Sequence, residues 1–363
     1  MIILGIETSC DETAVGVLEI KKTKAGFFIY PLSNVIASQI KIHRKYGGVV
    51  PMLASREHTK NIPIVTKKAL RQAFGSNIPK IDLIAVTKGP GLILALLIGV
   101  NFAKTLSWKW NKPIIGVNHL EGHLFSFLPY FIKNKKNFFS NSECKKIFPS
   151  ICLLASGGNT QLIYSKGIGR YKIIGETRDD AAGECFDKGA RILGLDYPGG
   201  PAIANEAAKH ILSNAQCNIQ LPRPMINSKN YDFSFSGLKT ALLYLVQKLE
   251  SKKLRKYRPE IAYEFQEAIV DVLIEKTMKA TKEFKTKSII LAGGVSANKR
   301  LKEKFQERLL NEKLNIKLFF PELECATDNA IMIAIAGFFQ YIKSNNKSFD
   351  WKKIKADANL RLQ

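Results

Sequence analysis

The sequence predicts a bilobal α/β fold with a ligand cleft between the lobes, and three observations carry that expectation. Two strands folded around a small polar turn, Thr8-Ser9-Cys10-Asp11-Glu12-Thr13, open the chain, and the pattern restarts past residue 150 around Ser156-Gly157-Gly158-Asn159-Thr160. A late strand ends in Gly293-Gly294 and feeds a basic helix, a context in which backbone amides approach a phosphate. At 363 residues the chain is long enough to bury two cores.

In order, residues 2–7 and 14–20 read as strands joined by the first polar turn, whose N–H groups can face an anion. A third strand runs through 27–30, a helical stretch through 62–74, and a buried strand through 83–86. Gly89-Pro90-Gly91 breaks the chain before a helix at 92–109, and a strand at 113–117 leads into Asn118-His119-Leu120-Glu121-Gly122-His123. Residues 133–146 are rich in lysine and asparagine without an apolar period, and read as an exposed linker. Strands at 150–155 and 161–164 flank the second polar turn. A strand at 288–292 precedes a helix at 299–310, and a strand at 316–320 leads to Cys325-Ala326-Thr327-Asp328-Asn329 and a helix from 330. The expected division is a first lobe at 1–132, a linker at 133–149 and a second lobe at 150–329, with 330–363 returning to pack on the first lobe.

Composition narrows the function classes. Hydrophobic residues at 46% and charged residues at 24% are ordinary for a globular protein. The six cysteines form no CxxC pair and read as reduced thiols. No signal peptide is visible and the apolar run at 92–100 is too short to span a bilayer, so a cytoplasmic protein without a membrane partner is expected. The formal charge of +24 fits a polyanionic partner such as nucleic acid, or a lysine-rich compositional bias.

The chain has only five histidines, and two of them are four residues apart. At that spacing both imidazoles share one helix face and can bind one metal ion. The alternative is a helix edge with two polar neighbours. The zincin pattern HExxH is absent, because the glutamate sits beside the glycine. A third ligand has to come from elsewhere.

The polar loops match no P-loop or GxGxxG pattern. Their combination resembles the actin, Hsp70 and sugar-kinase superfamily, whose duplicated ribonuclease H-like lobes clamp a nucleotide. GIETSCDET, YGGVVP, KGPGL, NHLEGH, ASGGNTQL, DDAAGECFDK, LDYPGGP, LPRPM, DFSFSGLKT, AGGVSAN and ATDNA follow one another here. In these motifs the chain resembles the bacterial tRNA N6-adenosine threonylcarbamoyltransferase family (TsaD), formerly labelled glycoproteases.

That resemblance implies a metal site of His119, His123 and Asp328, holding one divalent ion, Fe(II) in preference to Zn(II). Aspartates in front of helices are otherwise commonly caps. It implies that Leu154, Ala155, Ser156, Gly157 and Gly158 line the phosphate and acyl region, that Asp187 and Gly200 hold the ribose, and that Asn298 sits at the adenine end. Asp187 read alone is equally a surface ion-pair partner of Lys188 or Arg191. The implied reaction moves a threonylcarbamoyl group from threonylcarbamoyl-AMP to N6 of adenosine 37 in tRNAs reading ANN codons, releasing AMP. Asp11 or Glu12 is the candidate acceptor of the N6 proton. Implied partners are tRNA, a metal-lacking paralogue (TsaB-like) and a small ATPase (TsaE-like). Two positions depart from the family: Asn159 stands where histidine is usual, and Met52 where an acidic residue is common. Rival readings are a metal-dependent glycoprotein endopeptidase and an ATP-binding module without transferase activity. A peptidase would need Glu121 beside the metal, yet at about 100° per residue it lies roughly 200° around the helix from His119.

Overall fold

The computed structural model describes residues 1–75, 80–212, 216–345 and 350–362. Its first sheet contains β1 (Ile2–Glu7), β2 (Glu12–Lys22), β3 (Gly26–Ser38), β4 (Leu83–Gly89), β5 (Ile114–Asn118) and β6 (Phe138–Ser140), in the order β5-β4-β1-β2-β3-β6. The second contains β7 (Ser150–Ala155), β8 (Thr160–Gly167), β9 (Arg170–Glu176), β10 (Ser288–Ala292) and β11 (Lys317–Phe319), in the order β11-β10-β7-β8-β9. In each sheet a three-stranded antiparallel meander is extended from its first strand by two parallel strands. The two halves share one topology, as the recurring polar turns suggested.

Nine helices are used below: α1 (Pro51–Phe74), α2 (Ile93–Trp110), α3 (His119–Leu124), α4 (Ala182–Ile192), α5 (Gly199–Leu212), α6 (Ser236–Gln247), α7 (Ser251–Glu283), α8 (Lys299–Asn311) and α9 (Ala330–Lys343). The period-2 alternation of strands distributes their apolar side chains over two faces. On β1, Leu4 and Ile6 point to a core under α1 and α2, while Ile3 joins a central core. On β7, Ile151, Leu153 and Ala155 face the second lobe's core with α4 to α8, while Cys152 and Leu154 join that same central core. Both faces of each central strand are therefore buried, which is why these strands read as unbroken apolar runs.

The central core contains α3 and α9, so the metal-motif helix lies where the two lobes meet. Helix α9 packs on β1, β2 and β4. It comes so close that a Cβ at Gly5 would fall on the Ala330 carbonyl oxygen, and one at Gly337 would lie 2.5 Å from Ala85 Cβ. After the helix, residues 351–362 run back along the first lobe, where the Asp357 N–H donates to Lys88 O at 2.8 Å and the Gly91 N–H to Ala358 O at 3.2 Å.

The segment read as an exposed linker is a correction. Residues 138–140 form β6 on the edge of the first sheet, and a helix at Asn141–Ile147 follows. The physical reason is local: Phe139 and Ile147 bury themselves, and Ser140 with Glu143 closes a capping box that starts the helix. The third strand also runs on to Ser38, well past Tyr30.

Candidate metal and nucleotide site

Helix α3 starts at a cap. The Asn118 carboxamide oxygen accepts from the N–H groups of Leu120 at 2.9 Å and Glu121 at 3.4 Å, and its amide nitrogen donates to Arg361 O at 3.1 Å. One turn of helix then sets the imidazoles of His119 and His123 side by side, 4.6 Å between ring centroids. Asp328 arrives from the segment before α9, 205 residues from His123 in sequence. Its Oδ1 lies 3.1 Å from His123 Nε2 and 3.5 Å from His119 Nε2. It is not the cap of α9, because Asn329 does that work by accepting from Met332 N at 3.0 Å. Asp328 is thereby free to face the histidines.

The three ligand atoms lie within 4.8 Å of one another. Ligands about 2.0–2.2 Å from one tetrahedral ion sit roughly 3.3 Å apart, so the cluster fits a single divalent ion held by two Nε2 atoms and a carboxylate oxygen. That donor set suits Fe(II) or Zn(II) and leaves positions open for substrate.

Glu7 is the residue that the sequence reading missed. Fully buried at the end of β1, it accepts from His119 Nδ1 at 2.9 Å, from the Thr87 hydroxyl at 2.6 Å and from the Ser9 N–H at 2.5 Å. A carboxylate on Nδ1 fixes the tautomer whose bare Nε2 faces the ligand cluster. His123 has no such partner on its Nδ1 among the described residues. Burial alone would pull the His119 pKa down, but Glu7 and then Asp328 outweigh it and raise it to about 9. Burial would likewise push Asp328 up, yet His119 and His123 hold it at about 2. Without metal, His119 is an imidazolium between two carboxylates.

Opposite the cluster lies a cleft marked by empty space beside glycines. A Cβ added at Gly157, Gly158, Gly200 or Gly294 would meet nothing within 4 Å. In the Ser156 turn, the Ser156 N–H donates to Asn159 O at 2.8 Å and the Asn159 N–H to Ser156 Oγ at 3.2 Å. Among the described residues no hydrogen bond takes up the N–H of Gly157 or Gly158. Leu154 and Ala155 are buried, their side chains in the two cores, so only their backbone can border the cleft.

Asp187 on α4 accepts from the Gly199 N–H at 2.7 Å, beside Gly200 at the start of α5. Burial raises its pKa to about 6. It is no surface ion pair, since Lys188 is engaged by Asp180 at 2.7 Å and Glu184 at 2.8 Å. A cavity of about 120 Å³ beside Asp187 is walled by Arg44 and Gly47 of the first lobe and by Arg191 and Tyr197 of the second. Asn298 is committed within the protein: its oxygen caps α8 by accepting from Leu301 N at 3.0 Å, and its amide donates to Gln266 Oε1 at 2.9 Å. Asp11 and Glu12 are buried in the first polar turn, where Glu12 accepts from Ser38 Oγ at 3.2 Å. Burial, then the charges of Asp11 and Asp328, push the Glu12 pKa well above the usual carboxylate range.

Glu121 turns away from the cluster, as the helix angle requires. It accepts from the Tyr171 hydroxyl at 3.2 Å and from the Gln340 amide, and lines a cavity of about 590 Å³ with Asn118, Lys343 and Arg361. No base stands beside the cluster from that side, so the arrangement is poor for hydrolysis by a metal-bound water.

A sequence model described as tRNA N6-adenosine threonylcarbamoyltransferase matches residues 31–335. The chain belongs to this family. A threonylcarbamoyltransferase of Thermosipho africanus is 50% identical over 362 residues, covering 100% of both chains. The Bacillus subtilis relative of the same name is 43% identical over 351 residues, covering 96% of this chain and 93% of its own. Among solved structures, full-length HypF in a phosphate- and nucleotide-bound form superposes with a TM-score of 0.56 at 12% identity, over 96% of this chain and 47% of HypF. That likeness is one of fold alone. Members of the threonylcarbamoyltransferase family act on tRNA by name, and no described helix of this chain is long and apolar enough to cross a membrane.

Proposed function

We propose that the chain transfers threonylcarbamoyl from threonylcarbamoyl-AMP to N6 of adenosine 37 in tRNAs reading ANN codons, releasing AMP. One divalent ion, Fe(II) by preference and Zn(II) otherwise, would be held by His119, His123 and Asp328. The observation that carries this reading is the meeting, in one interlobe cleft, of three converging ligand atoms and a row of open glycines. The bound ion would supply Lewis-acid neutralisation of the mixed-anhydride phosphate.

The chain's own groups do the rest. An exocyclic adenine amine is a poor nucleophile, so the acyl carbonyl must be polarised. The free N–H groups of Gly157 and Gly158 are placed to receive the developing oxyanion, whereas that of Ser156 is already spent on Asn159. Asp187, as a carboxylate, accepts the ribose hydroxyls against the bare backbone of Gly200. Gly294 leaves room for the adenine, with Asn298 holding α8 and α7 in place around it. Of the two candidate proton acceptors, Asp11 fits the role, because a Glu12 pushed well up already carries a proton near neutral pH. The enzyme would work beside a metal-lacking paralogue and a small ATPase.

The test is transfer from preformed threonylcarbamoyl-adenylate to tRNA, with and without chelator. Transfer is expected to collapse in chelator and in a His119→Ala, His123→Ala double variant. Full transfer by the metal-stripped double variant would overturn the assignment.

A further inference from the structure

Helix α7 segregates its charges along its length. Residues 252–258 carry Lys252, Lys253, Arg255, Lys256 and Arg258 with no acid among them, whereas 260–275 carry Glu260, Glu264, Glu267, Asp271 and Glu275 with no lysine or arginine. The acidic stretch is matched inside the protein. Glu267 holds Arg300 at 2.8 Å and Lys304 at 2.7 Å, Glu264 and Asp271 hold Arg223, and Glu275 holds Arg308 at 3.3 Å. The basic stretch is not. Only Arg258 is firmly paired, at 3.1 Å from Glu206, and Lys253 reaches Glu250 only at 3.8 Å. Lys252, Arg255 and Lys256 are exposed and make no ion pair with any described residue. A uniform lysine bias would not sort charge this way, and cations in a helix's first turns oppose its macrodipole, so they do not serve the helix itself.

The position of this stretch matters. Gln266 marks where α7 passes the mouth of the cleft, through its bond to Asn298. At about 1.5 Å per residue, Lys256 lies about 15 Å further along the helix, on the side away from the sheet. Arg258 ties this end to Glu206 on α5, the helix that opens at Gly200 in the cleft. Exposed aromatic rings stand beside the cations: Tyr257, under the Lys256 ammonium at 5.4 Å, and Tyr244 on α6.

We infer that Lys252, Lys253, Arg255 and Lys256 form a docking arm for the sugar-phosphate backbone of the anticodon stem of tRNA. This rests on tRNA being the substrate. A loop nucleotide seated in the cleft leads its stem outwards past the rim, and a row of phosphates about 15 Å from the cleft meets flexible lysines and an arginine without any need for base recognition.

The test neutralises the arm with Lys252→Gln, Lys253→Gln, Arg255→Gln and Lys256→Gln together, in the full chain, and follows binding of whole tRNA across a salt series. Each lost phosphate contact removes about 0.7–0.9 from the slope of log K against log salt, so the slope should flatten by about two to three and affinity at low salt fall on the order of tenfold. KM for tRNA should rise with kcat at saturating tRNA unchanged, and a short stem-loop that ends before the arm should bind both proteins alike. An unchanged melting temperature confirms folding. Equal affinity and slope for whole tRNA would overturn the inference. So would a variant that binds tRNA normally yet loses activity only beside its protein partners, which would give the arm to an acidic protein surface. Failure of the unaltered chain to modify tRNA would count against the substrate reading, while the salt slopes would still report on the arm.

Discussion

Replacing Glu7 by glutamine should disable the metal site without touching a ligand. The two carboxylate oxygens of Glu7 accept three hydrogen bonds, one from Ser9 N–H and two, from Thr87 and His119, on the other oxygen. Glutamine must put an NH₂ at one of these places. Facing Ser9, it sets donor against donor in a fully buried position, at about 1–3 kcal/mol of stability. Facing His119, it turns Nδ1 into an acceptor, so the ring proton moves to Nε2 and blocks the ligand atom. Loss of an outer partner of this kind weakens metal binding about 10- to 100-fold, equivalent to roughly 1.4–2.8 kcal/mol. The assay is competition for Zn(II) between metal-stripped protein and a chromophoric chelator, with denaturant unfolding of the metal-free protein run alongside to separate site from fold. Zn(II) affinity equal to that of the unaltered protein would refute the reasoning, since His119 would then need no orienting carboxylate.

Two further outcomes follow from the same geometry. Because His119 in the metal-free protein titrates at about 9, metal binding near neutral pH should release about one proton, and affinity should fall up to tenfold per pH unit below 9, measured by calorimetry in buffers of different ionisation enthalpy. The same raised pKa stabilises the metal-free fold fully below the ordinary histidine value of 6.5, and that contribution should be lost as pH rises towards 9; a flat unfolding profile over this window would contradict it. Gly337→Ala places a methyl 2.5 Å from Ala85 Cβ and 3.3 Å from Ile115 Cγ2, and should cost about 1–3 kcal/mol in denaturant unfolding. Gly158→Val, pointing into open space, should leave stability within about 0.5 kcal/mol while raising KM for the adenylate donor.

Much of the molecule was legible because its signals are local. The polar turns between apolar strands mark both meanders, and the spacing of His119 and His123 is a property of one helical turn. Asp328 became legible only through the family motif, since an aspartate before a helix is commonly a cap and here the neighbouring Asn329 takes that place. What stayed hidden depends on contacts distant in sequence. Glu7 looks like the polar end of a strand until the fold brings His119, 112 residues on, against it. The side chains of Leu154 and Ala155 sit in cores because a strand buried on both faces has no side left for a ligand. Asn298 belongs to the right place, but its amide is claimed by a cap and by Gln266. Residues 138–140 were hidden by their lysine-rich flanks.

The wedging of α9 between the two sheets also dictates an order of events at the ribosome. The strands it covers emerge first, and the trough lined by Ile3, Leu18 and Ile115 stays open until the helix itself has been made. Asp328 leads that helix, so the two histidines wait without their third ligand for most of synthesis. Loading with metal is therefore a late checkpoint, passed only by a nascent chain that has already closed its centre, and a chain cut short before residue 328 would expose the trough to chaperones and proteases without ever holding the ion.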